Sequence, residues 1–320
     1  MGFDLRSRLR GTAVPLLMAG FVAGCATLQT GRLTRERFRA LPSKAVLLQV
    51  PFHPQEAYFC GPAALAMALN WSGDPVNPSD LIPQVFTPGR KGTLQSEIIN
   101  AGRRHGRLVY PVSGFENLLK EVAAGHPVIV LQNLGLSWYP QWHYAVVVGY
   151  DLTGHQIVLH SGLEARKVIP LRLFERTWAR SNYWSVAVLP PHELPASALE
   201  KPFLEAAAGL ERARQWEAAA RAYEAALQRW PKSYGALMGL GNSRYALGDL
   251  SGAERAFRAA TKAHPTAAAA FNNLAHVLAE RGHRREALKL ARQAVALGGP
   301  LKRMFLKTLK QIQEKGDKAQ

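Results

Sequence analysis

The chain has 320 residues, 48% of them hydrophobic and 20% charged, which is enough apolar material for more than one core and excludes a disordered or low-complexity protein. Its 40 Lys and Arg against 23 Asp and Glu leave a formal net charge of +17, a balance that favours contact with anionic surfaces. No zinc-type Cys/His spacing or other nucleic-acid motif accompanies that charge, so no nucleic-acid partner is expected, and no cofactor either.

The segment from Met1 to Cys25 reads as a targeting signal. Arg6, Arg8 and Arg10 form a positive start, and Val14 to Val22 form an apolar stretch too short to span a bilayer as a stable anchor. The stretch ends in VAGC, Val22 to Cys25, which resembles the lipobox of bacterial lipoproteins. That resemblance implies cleavage after residue 24, a diacylglycerol on the Cys25 sulfur and an acylated new amino terminus, a combination that suffices for a membrane anchor. Ala26 stands where an Asp would imply inner-membrane retention, so the anchor is expected in the outer membrane, facing the periplasm. With Cys25 lipidated, Cys60 is the one remaining cysteine and no internal disulfide is expected.

Residues 25–44 read as a polar, Arg-rich tether, and residues 45–190 as a first domain. Leu47 to Gln55 suggest a short strand leading into a loop. The run CGPAALAMALNW opens with small residues and a Pro near its first turn, where the missing N–H costs nothing, so Cys60 falls at a helix N-terminus. Further helices are expected over Leu94 to Arg104 and Phe115 to Ala124. GHPVIVLQ reads as a strand, and HYAVVVGYDLTGHQIVLHS as two strands around a turn at Leu152-Thr153-Gly154. Trp184 to Pro190 supply a last strand. Helices first and antiparallel strands afterwards indicate an α+β layer fold.

Residues 191–200 lie in a Pro-rich linker. Beyond it the sequence is Ala-rich with helical periodicity and repeats at a fixed interval of about 34 residues: Ala219, Ala253 and Ala287 align, as do Pro231 and Pro265, Gly248 and Gly282, and Tyr223 and Phe257. This pattern is similar to the tetratricopeptide repeat, an all-α solenoid in which a small residue lets two helices approach closely. Three repeats and a capping helix over Leu301 to Ile312 fit residues 201–314, leaving a tail over 315–320. Such repeats imply a protein partner or a protein segment held on a concave surface.

A thiol attacks carbonyls as thiolate, and both a helix N-terminus and a nearby imidazolium favour that form. Of ten histidines, His143 stands apart, opening the apolar strand HYAVVVGYD directly after the aromatic loop SWYPQW. Gln55, Cys60-Gly61-Pro62-Ala63-Ala64 and His143 together resemble the C39 family of papain-like cysteine peptidases, over roughly Leu47 to Pro190. The resemblance implies Cys60 as nucleophile, His143 as general base and acid, and Gln55 with the Cys60 backbone N–H as donors to the oxyanion. The family's orienting Asp is missing: VLHSG, Val158 to Gly162, stands in its place. Asp151 lies about 26 Å along an extended strand from His143 and reads as a turn residue. Ser161 or His160 is left to orient the imidazole, depending on a one-residue choice of register, with Asn182 as a third candidate. The expected function is an envelope-anchored cysteine peptidase whose repeats recruit a protein or peptide substrate or partner. A weakly active or inactive C39-like scaffold, and an amidase or acyltransferase acting on cell-wall peptides, fit the same residues.

Overall fold

The computed structural model describes residues 41–55 and 58–317; the expected signal segment, Cys25 and the tether up to residue 40 lie outside them. The first domain is built around one antiparallel sheet. In chain order it runs β1 (Lys44–Val46), α1 (Cys60–Trp71), α2 (Pro78–Val85), β2 (Phe86–Thr87), a short 3-10 turn, β3 (Gly92–Thr93), α3 (Gln95–Arg104), β4 (Leu108–Pro111) and α4 (Phe115–Ala123). It continues with β5 (Val128–Asn133), β6 (Trp142–Asp151), β7 (Gln156–Ser161), β8 (Glu164–Pro170), α5 (Leu171–Ala179) and β9 (Ser185–Leu189). The strands lie in the order β4-β9-β5-β6-β7-β8, with β1 paired to the far end of β6. Strands β2 and β3 form a separate small hairpin.

Helix α1 is buried without a break from Gly61 to Leu69, as an all-apolar helix must be. At Gly61 an added Cβ would collide with the Thr93 side chain, so glycine lets the β2–β3 hairpin close onto the helix start. The strand expected from Leu47 is shifted. Pairing ends once Leu47 donates its N–H to the Val148 carbonyl at 2.7 Å, and the chain, with no N–H at Pro51 or Pro54, leaves the sheet as a loop. Strand β8 and helix α5 carry no contiguous apolar run. EARKVIP is largely exposed and charged, as suits an edge strand.

One feature of β6 decides the site. Near the turn its register pairs Asp151 with Gln156 and Gly149 with Val158, but beyond Val148 it pairs Val147 with Leu159 and Val146 with His160. The extra residue is a β-bulge, and it exchanges which residues of β7 share a face with the start of β6.

The second domain consists of α6 (Glu200–Arg212), α7 (Trp216–Arg229), α8 (Tyr234–Ala246), α9 (Leu250–Ala263), α10 (Ala268–Glu280), α11 (Arg284–Leu297) and α12 (Lys302–Asp317). The first helices of successive pairs begin at Glu200, Tyr234 and Ala268, and α12 begins at Lys302, so the period of the sequence runs through the capping helix. Gly239 and Gly241 press on the rings of Tyr223 and Phe257, where a Cβ would not fit, and Ala219, Ala253 and Ala287 are fully buried between helices.

The two domains share a core. Phe203, Ala206, Ala207 and Leu210 of α6 belong to the same buried apolar cluster as Leu108 and Val109 of β4. The segment read as a linker is pinned: the Glu121 carboxylate accepts the N–H groups of Ala196 and Ser197 and the Ser197 hydroxyl, and Leu199 N–H donates to the Tyr110 hydroxyl at 3.2 Å.

Candidate active site

Cys60 is the first residue of α1, a half-buried free thiol. Burial pushes its pKa up, and the N–H groups of Tyr144, Gly61 and Cys60 itself, which favour the thiolate, offset this only in part. The helix terminus therefore does not produce the resting thiolate that the sequence suggested, because desolvation outweighs it. His143 stands at the start of β6. Burial, with the positive charge of Lys167 adding to it, lowers its pKa to about 4, so at neutral pH the imidazole is uncharged.

The imidazole Nε2 of His143 lies 2.9 Å from Ser161 Oγ. With the proton on Nε2 donated to that hydroxyl, Nδ1 is left with its lone pair as the basic nitrogen. The bulge at Val148 explains the choice of partner. Had the register of the turn continued, His160 would share the face of His143; with one extra residue Ser161 does. His160 is correspondingly turned away and does not orient the imidazole. Its Nε2 donates to the Val50 carbonyl at 3.2 Å, its Nδ1 accepts the Arg166 N–H at 3.1 Å, and its ring packs on Phe52. Asn182 lines the cleft in a left-handed conformation, and among the described residues its side chain makes no hydrogen bond to His143. Asp151 caps the β6–β7 turn, accepting the Gly154 N–H at 2.7 Å.

Gln55 is buried and its amide is locked. Its Oε1 accepts the Gly162 N–H at 2.8 Å, its Nε2 donates to the Tyr144 carbonyl at 3.2 Å, and its own N–H donates to the Gly162 carbonyl at 2.9 Å. An amide nitrogen carries two protons, so one remains for a ligand. Two residues that the sequence reading did not single out organise this corner. Tyr144 directs its N–H at the Cys60 sulfur and its carbonyl at Gln55, which is possible because both backbone groups of one strand residue point the same way. Gly162, at φ +61°, holds Gln55 while its neighbour Ser161 meets His143. Backbone roles leave no side-chain signature, so neither role was legible, and Gly162 stood in the sequence only as the end of VLHSG.

Gln55, Cys60 and His143 line one cleft of about 970 Å³, with Thr93, Trp142 and Arg180 also in its walls. A cysteine at the start of a buried helix, a histidine at the head of the adjoining strand and a fixed amide thus line one cleft of an α+β domain. Residues 47–186 match the family model described as "Peptidase_C39 like family", and residues 204–268 match a tetratricopeptide-repeat model, so the chain joins a C39-like domain to tetratricopeptide repeats.

Among solved structures, one from Bacillus anthracis described as a C39-like peptidase is 19% identical, covering 46% of this chain and 97% of that one, with a TM-score of 0.39. The Yersinia enterocolitica type III secretion translocator chaperone SycD is 20% identical, covering 39% of this chain and 90% of that one, with a TM-score of 0.36. SycD in complex with a peptide of the translocator YopD gives 18%, 36%, 92% and 0.34 for the same quantities. No curated protein matches the chain.

Proposed function

We propose that the chain is a cysteine peptidase in which Cys60 attacks the peptide carbonyl and His143 carries the proton. The observation that supports this most directly is the shared cleft of Cys60, His143 and an immobilised Gln55 amide. As the Cys60 sulfur bonds to the carbonyl carbon, its proton passes to Nδ1 of His143, and the carbonyl π pair moves onto oxygen. The free Gln55 Nε2 proton and the Cys60 N–H receive that oxyanion. Collapse of the intermediate breaks the C–N bond, and the amine leaves with the proton from Nδ1. Water then attacks the thioester by the same route, giving the carboxylic acid and restoring the thiol.

In this reading Ser161 is a positioning residue, holding the imidazole by Nε2. The repeats recruit a protein substrate or partner, and Cys25 anchors the protein by lipid to the cell envelope, facing the periplasm from the outer membrane. Two observations favour a weakly active or inactive scaffold instead: a hydroxyl replaces the carboxylate beside His143, and both the thiol and the imidazole rest uncharged.

The test is the rate at which a peptide bearing a thiol-directed electrophile modifies Cys60 in the wild type and in His143→Ala, followed by intact mass. The peptidase reading expects a peptide-dependent rate that drops at least tenfold without His143. A rate equal to that of free cysteine in both proteins defeats it and leaves the scaffold.

A further inference from the structure

The connection between β5 and β6 is a braced hairpin with an apolar crest. Leu134 N–H donates to the Gln141 carbonyl, and Leu136 and Tyr139 exchange N–H···O bonds of 3.1 and 3.2 Å. The Asn133 side chain accepts the N–H groups of Gly135 and Gln141, and Arg180 donates to the carbonyls of Asn133 and Gly135. At Gly135 a Cβ would collide with the Tyr139 carbonyl. On this rigid frame Trp138 is 81% exposed, Tyr139 70% and Trp142 53%. Large apolar side chains held in water on a preorganised backbone mark a contact surface.

The hairpin is continuous with the cleft, to which it contributes Pro140, Gln141 and Trp142. The β2–β3 hairpin contributes Arg90 and Lys91, and the lining contains no Asp or Glu among the described residues. Neither Arg90 nor Lys91 has a carboxylate partner among those residues.

From the aromatic crest joined to this basic lining we infer that the cleft selects an acidic peptide segment carrying a large aromatic or aliphatic side chain. Acidic side chains meet Arg90 and Lys91, and the bulky one lies on Trp142 and Trp138. The inference rests on the peptidase reading and names the substrate class of the same cleft. An aromatic surface next to cations also suits an anionic lipid surface, but the hairpin forms the cleft wall itself, which favours a ligand that enters the cleft.

The test uses the full chain and three peptides of equal length with one common electrophile: acidic with Trp, basic with Trp, and acidic with Gly. The acidic Trp peptide is expected to modify Cys60 about tenfold faster than either of the others at low ionic strength, with the charge preference shrinking at about 0.5 M salt. The ratio of acidic to basic rates is expected to fall towards one in R90A/K91A, and the ratio of Trp to Gly rates in W138A/W142A. Equal rates for all three peptides, each still falling at least tenfold in His143→Ala, overturn the inference and leave the peptidase reading standing. Fluorescence anisotropy of the unreactive acidic Trp peptide on Cys60→Ala reads selectivity without chemistry, so failure of catalysis alone does not decide the matter. Co-sedimentation with vesicles of one part phosphatidylglycerol to two parts phosphatidylethanolamine that is lost in W138A/W142A, with unchanged peptide ratios, assigns the crest to lipid and also overturns the inference.

Discussion

His126 ties the first domain to the segment that leads into the second, and its removal has a calculable cost. It follows α4, with Nδ1 2.6 Å from Glu121 Oε2 and Nε2 2.9 Å from Glu193 Oε1, and its ring meets Trp71 edge-on. Glu121 is fully buried and holds the segment at Ala196 and Ser197 that leads into α6. In His126→Ala that carboxylate keeps its donors from Ala196 and Ser197 but loses its charged partner, so the loss falls at the low end for a broken buried pair, about 3 kcal/mol. At roughly 2 °C per kcal/mol for a chain of this size, the melting temperature drops by about 6 °C.

The cost depends on pH. Burial lowers the His126 pKa, but the two carboxylates outweigh it and hold the pKa above 6.5, so its share of the stability is full below 6.5 and is lost as pH rises through the folded value. Burial raises the Glu121 pKa, but hydrogen bonds from His126 and Ser197 outweigh it and hold the pKa below 4.5, so its share is full above 4.5 and is lost as pH falls through the folded value. Thermal unfolding of both proteins followed by circular dichroism is therefore expected to differ most near pH 5.5 to 6.5 and less at pH 9. Limited proteolysis of His126→Ala should open first between residues 190 and 199. A difference below about 2 °C, or one constant from pH 6 to 9, refutes the account of the latch.

Alkylation of Cys60 by a small neutral reagent should rise with pH through a midpoint above 9.0, because burial raises the thiol pKa and His143 stays neutral down to about 4; a plateau already reached at pH 6 contradicts this. Ser161→Ala leaves the part-buried Nε2–H without its acceptor, at a cost of about 1 kcal/mol or more, so His143-dependent labelling by a peptide electrophile should fall roughly tenfold. Ser161→Asp places a carboxylate beside the same nitrogen and should raise the His143 pKa, which NMR titration of the imidazole would register as an upward shift from about 4. Gly241→Ala drives a methyl into the Phe257 ring and should destabilise the repeat stack by about 1–3 kcal/mol in denaturant unfolding.

Much of the architecture was legible because it rests on local pattern. The repeat period places the helix starts of the second domain, and the unbroken apolar run after Cys60 marks α1 as buried. The segments that escaped are those whose structure is set by distant contacts. EARKVIP forms β8 only because β7 offers it an edge, and Pro190 to Leu199 is ordered by Glu121 and Tyr110, both far upstream in sequence.

The partner of His143 shows the limit most clearly. The turn after Asp151 is tight and readable, and continuing its register would put His160 on the face of His143. Val148 breaks that register by one residue, in the middle of AVVVG, where nothing distinguishes one valine from the next. The neighbouring signal is Gly149, which has no room for a side chain against the Ala45 carbonyl of β1, so the strand bends where β1 takes the place of β5 on the same edge. The exchange of β-partner and the bulge thus fall at one point, and a contact with the very start of the domain decides which β7 side chain meets the imidazole. Replacing Gly149 by a larger residue is for that reason expected to move the β6–β7 register and, with it, the hydrogen bond between His143 and Ser161.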